Sequence, residues 1–387
     1  MLFSGTQKTD MAACKRTTSS DMKPLTIGDK TARLPIVQGG MGVGVSLSGL
    51  ASAVANAGGI GVIAAAGIGM KEQDFYSNYV EANIRALRGE IRKARAMTAG
   101  ILGVNIMVAF TNFGDLVRTA VEEEIDIIFS GAGLPFSLPQ FLTTDSKTKL
   151  VPIVSSGRAA SLICKRWLSR YDYLPDAIVL EGPKAGGHLG FGEDQIFDPA
   201  YALEKLIPDV LEAAGAFSVQ HGKVIPVIAA GGIYTGHDIR AIMALGAAGV
   251  QMGTRFVATH ECDVDVAFKQ MYINARQDDI VIIKSPLGMP GRAIRNKYLD
   301  DVEAGIKKPF KCPYHCISMC DYKNSPYCIA NALTSAQKGK FRNGFAFCGA
   351  NAYRITEIVS VKELIFELMA EYAETEPAAE SSASGTG

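Results

Sequence analysis

Residues 176–190 read DAIVLEGPKAGGHLG. The run 176–180 (DAIVL) is short, apolar and closed by a glycine cluster, the pattern of a buried strand. His188 then falls just past a strand end, on a loop too rich in glycine to pack as core. Gly186 and Gly187 let backbone N–H groups approach something flat or anionic. Taken alone, the stretch reads equally well as a simple turn. A second glycine-rich strand end adds to the functional reading. Residues 224–233 (VIPVIAAGGI) are followed by a helical stretch and then by AGVQMGTRF at 248–256. Strand, Gly-Gly, short helix, strand and Gly-Thr form the kind of backbone-amide cradle that holds a phosphate. In a (β/α)8 barrel such a cradle sits after strands seven and eight.

Eight strands are expected, over 34–38, 60–64, 101–107, 126–130, 151–155, 176–180, 224–229 and 249–252, each followed by a helical stretch. That alternation argues for a parallel sheet covered on its outer face. The expected fold is α/β, a (β/α)8 TIM barrel with a C-terminal cysteine-containing appendage. An open doubly wound sheet is the alternative. Residues 1–22 are polar and expected to be disordered, the barrel runs over 23–279, a post-barrel lid and cysteine-rich appendage over 280–370, and a low-complexity disordered tail over 371–387. Polar and glycine punctuation gathers at the strand C-terminal ends, the face where barrel enzymes carry their sites.

With 387 residues, 48% of them hydrophobic, the chain has the length and the core for such a barrel. Lysine plus arginine and aspartate plus glutamate number 39 each. This balance gives no support to a nucleic-acid or anionic-membrane partner. No apolar run approaches the roughly 18 residues of a membrane span, and the polar start is not a secretory signal. A cytoplasmic location is the expectation.

The motifs LPIVQGGMG, AVANAGGIGVIAA, GVNIM, FSGAG, EGPKAGGHLG, IPVIAAGGI and GVQMGTRF, in that order over residues 33–295, resemble the flavin-dependent nitronate monooxygenase (2-nitropropane dioxygenase) family, which includes the FabK-type enoyl-acyl-carrier-protein reductases. The resemblance implies an FMN-binding TIM barrel. It places Gly39, Gly40 and Met41 along the isoalloxazine ring, Asn105 beside flavin or substrate, and Ser155 and Glu181 near ring or ribityl polar atoms. It sets Gly186 and Gly187 over the cofactor. Gly231, Gly232, Gly253 and Thr254 would take the phosphate, with Gln251 lining that loop. The lesser alternative for Asn105 and Gln251 is a satisfied core amide. A homodimer is compatible with such barrels.

His188 is the catalytic candidate, because imidazole exchanges protons near neutral pH. A small-molecule substrate is implied, an alkyl nitronate or an enoyl thioester. The first goes to a carbonyl compound and nitrite with dioxygen, the second is reduced at the expense of a nicotinamide cofactor. No GxGxxG fingerprint follows a strand, so a nicotinamide would dock only transiently. Downstream, Cys312, Cys316, Cys320 and Cys328 are spaced C-x3-C-x3-C-x7-C. In a cytoplasmic chain this argues against disulfides and for a thiolate-bound centre. An iron–sulfur cluster, a structural zinc and free cysteines are all open, since the spacing fits neither a zinc knuckle nor the ferredoxin run. An iron–sulfur centre would extend the function to another flavin redox enzyme. Phe345, Phe347 and Tyr353, on a glycine-containing loop, suit either a substrate wall or appendage packing.

Overall fold

The computed structural model describes residues 22–374 apart from 307, 309 and 313. The expectations for residues 1–21 and 375–387 lie outside the described residues. Eight parallel strands form one sheet, Ile36–Gln38, Gly61–Ala64, Leu102–Met107, Ile127–Gly131, Lys149–Val154, Ile178–Glu181, Val227–Ala230 and Gly249–Met252. The eighth pairs with the first, and Val37 bridges Ile60 in parallel, so the sheet closes on itself. The architecture is a (β/α)8 TIM barrel, and the open-sheet alternative falls away.

Four of these eight strands are buried along their whole length, because helices cover one face and the barrel interior the other. The interior is filled by Val37, Val62, Ile127, Phe129, Val151, Val179, Ile228 and Ala230. A hairpin not expected from the sequence, Leu25–Ile27 paired antiparallel with Lys30–Ala32, adds Leu25, Ile27 and Ala32 to that cluster. Since the hairpin belongs to the interior cluster, the pocket is left to the C-terminal mouth.

The appendage is less separate than a boundary at residue 280 implies. Its last helix, Val361–Ala373, packs against Gly236–Ala244 and Ser48–Asn56. It therefore stands in the outer ring between the seventh and first helices. Val361, Leu364, Ile365 and Leu368 join the main core cluster. The helix also runs three residues past the expected start of the disordered tail, because the Glu371 carboxylate accepts from Gly236 N–H at 2.6 Å and the Tyr372 carbonyl accepts from Arg240 Nε at 2.7 Å.

The first part of the post-barrel segment, residues 280–294, forms a hairpin. Ile280–Lys284 pairs with Pro290–Ile294, and the latter pairs antiparallel with Gly187–His188. Among the described residues no helix is long and apolar enough to cross a membrane.

Candidate active site

Polar side chains rise from the C-terminal ends of the barrel strands. Glu181 and Gln251 both pair in register with Ala230, and Asn105 pairs with Phe129. Paired residues point to the same side of a sheet. Ala230 and Phe129 belong to the interior cluster, so these three side chains point into the barrel mouth. A Cβ built on Gly40 would lie 2.3 Å from Asn105 Cβ, so only glycine lets the first strand end run across the third. Met41 lies against the eighth, its Sδ 3.5 Å from where a Gly253 Cβ would be. Gly190 folds back so that a Cβ there would sit 3.3 Å from the Ser155 hydroxyl.

Among the described residues neither the Asn105 nor the Gln251 amide has a hydrogen-bond partner within the protein, and both are half-buried rather than core. Gln38 shows the contrast. Its Oε1 accepts from Val62 N–H at 3.0 Å and its Nε2 donates to the Gly39 carbonyl, so it is the satisfied core amide of this region. Glu181 lies deep in the mouth, and burial alone pushes its carboxyl up to about 7.

His188 is fixed by the hairpin that pairs with it. Its Nε2 lies 2.7 Å from Ser285 Oγ, which also accepts from Leu287 N–H at 3.2 Å. Phe347 meets the imidazole edge to face at 5.1 Å. Burial pushes the His188 pKa down to about 4, so the ring is neutral at pH 7. Of the other two aromatics of that loop, Phe345 is fully buried against Tyr298 and Tyr327 and packs the appendage.

The loop carrying His188 hangs on Arg292. This buried guanidinium donates through Nη1 to the carbonyls of Pro183, at 2.7 Å, and Ala185, at 2.6 Å. At the other end of the site, Gly231 and Gly232 adopt φ of 97° and 89°, open to glycine at little cost. The start of the following helix is not available to a ligand, because Asp238 takes the N–H groups of Tyr234 and Thr235, at 2.8 and 2.9 Å. The N–H groups of Gly232, Gly253 and Thr254 have no such partner among the described residues. The donors are thus the two loops themselves.

Sequence reasoning missed Ser285, Arg292, Gly349 and Asn351. Their only signal was position within the post-barrel segment and the glycine-containing loop at 343–354. The described residues give no support to a metal centre at the four cysteines. Cys312, Cys316, Cys320 and Cys328 lie near enough that a thiolate charge on one raises the pKa of another. Yet among the described residues no three His, Cys, Asp or Glu side chains are arranged to hold a metal ion. Cys328 stands at the N-cap of helix Ile329–Gln337, and a bridge between Phe110 and Ile317 ties the cysteine segment to the barrel. A separate cavity of about 420 Å³ lies on the appendage, lined by Tyr298, Lys308, Cys328 and Asn331 among others, and holds none of the barrel-mouth residues.

A closed parallel barrel with glycine donors after strands seven and eight, and a neutral histidine over its mouth, defines a class of oxidoreductases. The chain belongs to the nitronate monooxygenase family, whose model matches residues 23–125 and 108–371. It is 28% identical over 376 residues to a probable nitronate monooxygenase of Bacillus subtilis, covering 87% of this chain and 95% of that one. It is 32% identical over 273 residues to the (3aS,4S,5R,7aS)-5-hydroxy-7a-methyl-1-oxo-octahydro-1H-indene-4-carboxyl-CoA dehydrogenase of Mycobacterium tuberculosis, covering 70% of this chain. The match spans just under two thirds of that relative's length, 66%. Among solved structures it is similar to FabK from Thermotoga maritima, with 29% identity, a TM-score of 0.68 and coverage of 88% of this chain and 93% of that one.

Proposed function

We propose that the protein is an FMN-dependent oxidoreductase of the nitronate monooxygenase type, oxidising alkyl nitronates or nitroalkanes to carbonyl compounds and nitrite with dioxygen. The observation that carries this reading is a neutral imidazole, held at Nε2 by Ser285, above a mouth lined by the unpartnered polar groups Asn105, Glu181 and Gln251. A neutral ring is a base. It suits removal of a proton from carbon beside a nitro group, whereas donating a proton at the end of an enoyl reduction needs the imidazolium.

The residues present fit FMN. The N–H groups of Gly232, Gly253 and Thr254, without partners among the described residues, would with Gly231 hold its phosphate. Gly39, Gly40 and Met41 would line the ring, Asn105, Ser155, Glu181 and Gln251 would meet its polar edge, and Gly186 and Gly187 would close over it. FMN, when bound, supplies the electron exchange that no side chain here provides. The protein orients the substrate, holds the His188 ring for proton transfer and, through Phe347 and the Arg292-braced loop, keeps water from the reacting carbon.

A second reading is a FabK-type NAD(P)H-dependent enoyl reductase, favoured by the likeness to the Thermotoga maritima structure. Anaerobic stopped-flow mixing with propyl-2-nitronate, NADH and NADPH separates the two. Bleaching of the flavin by the nitronate with nicotinamides inert supports the first reading, and bleaching by a nicotinamide alone supports the second.

A further inference from the structure

The loop 347–351 of the appendage crosses between the two glycine-rich strand ends. Its passage is tight. A Cβ on Gly186 would lie 2.6 Å from the Cys348 carbonyl carbon, and one on Gly349 would lie 2.7 Å from Thr254 Oγ1. Four hydrogen bonds hold it there. Cys348 N–H donates to the Arg292 carbonyl at 3.0 Å, and Ala350 N–H donates to the Lys184 carbonyl at 3.1 Å. Gly349 N–H donates to Thr254 Oγ1 at 2.9 Å, and Asn351 Nδ2 donates to the Gly232 carbonyl at 2.6 Å.

The last two bonds land on the donor loops themselves. Because Thr254 Oγ1 accepts from Gly349, that contact does not use the hydroxyl proton of Thr254, which stays free to donate to an anion. Because Asn351 holds the Gly232 carbonyl, the peptide that follows Gly232 is anchored, which restrains the turn built on the positive φ of Gly231 and Gly232. Neither Gly349 nor Asn351 need touch a ligand to act in this way.

We propose that Gly349 and Asn351 are positioning residues of the flavin-phosphate site, so that retention of a phosphorylated flavin depends on a strap supplied by the C-terminal appendage. The inference rests on the FMN reading above. It makes the strap, remote from the barrel in sequence, the element that distinguishes FMN from riboflavin.

The test is the affinity of the full-length apoprotein for FMN and for riboflavin, measured by quenching of flavin fluorescence, in the native protein and in Asn351→Ala and Gly349→Ala. Asn351→Ala removes one contact and Gly349→Ala pushes Thr254 Oγ1 away with its Cβ, and each should weaken FMN roughly fivefold to tenfold while leaving riboflavin unchanged. The ³¹P resonance of bound FMN should also move in Asn351→Ala. Equal weakening of both flavins, or unchanged binding of both with an unmoved ³¹P resonance, overturns the proposal. If one variant fails to fold by circular dichroism, the other decides. Failure of the native protein to bind FMN at all overturns the FMN reading and this inference with it.

Discussion

His188 Nε2 and Ser285 Oγ lie 2.7 Å apart across 97 residues of chain. The contact exists because the strand Pro290–Ile294 pairs with Gly187–His188 and brings the preceding turn back onto the ring. Ser285 Oγ also accepts from Leu287 N–H, so the hydroxyl is anchored to its own turn while it meets the ring. His188→Ala should lower turnover by roughly a hundredfold or more, with flavin content unchanged. Ser285→Ala should lower kcat by a smaller factor, about tenfold. A kcat for Ser285→Ala equal to that of the native protein would show that the hydroxyl does not orient the ring.

Burial moves His188 and Glu181 in opposite senses. His188 falls from 6.5 to about 4, so between those values the unfolded chain holds the extra proton and stability drops as pH falls. Glu181 rises from 4.5 to about 7, so the folded protein holds the extra proton and stability drops as pH rises through that range. The two slopes oppose one another between pH 4.5 and 6.5. Glu181→Gln should therefore unmask a stability that climbs with pH up to the ordinary histidine range, read by urea titration at several pH values. A limb near pH 7 in the kcat/KM profile should vanish in the same variant.

Arg292 is 4% exposed and binds two loop carbonyls through one nitrogen. Arg292→Met fills similar volume but leaves both carbonyls unpaired, at about 1–3 kcal/mol for each buried group. Chemical denaturation should show a loss of that order, and limited proteolysis should find the 183–190 loop newly cut. Unaltered stability would mean that water replaces the guanidinium.

The thiols of Cys164, Cys262 and Cys348 are buried, and desolvation pushes each up to about 12. They should stay silent to a thiol reagent at pH 8 and react only after unfolding, because the thiolate is the nucleophile. A rapid native reaction at any of the three, located by mass spectrometry, would contradict their burial.

The barrel was legible because each of its strands is a short apolar run ended by glycine or a polar residue, a local pattern that requires no knowledge of partners. The eight expected strands match the eight observed to within a few residues. His188 and the glycine loops were legible for the same reason, as chemistry placed at strand ends. The hairpin at residues 25–32 was missed because three-residue strands are too short to show a period. For Cys312, Cys316, Cys320 and Cys328 the spacing records only which thiols can meet, and among the described residues they are not arranged as a metal-holding group.

By itself, then, the sequence determined the alternation of strand and helix, the face that carries the site and the residue types offered there, since burial and turn chemistry act over a few residues. Only the tertiary structure decided that Ser285 holds His188, that Arg292 carries its loop, that the strap at 347–351 grips Thr254 and Gly232, and that the last helix joins the outer ring. Each of these contacts joins segments about 95 residues or more apart. Their formation depends on loop closure and on the packing of the closed barrel, which no local pattern encodes.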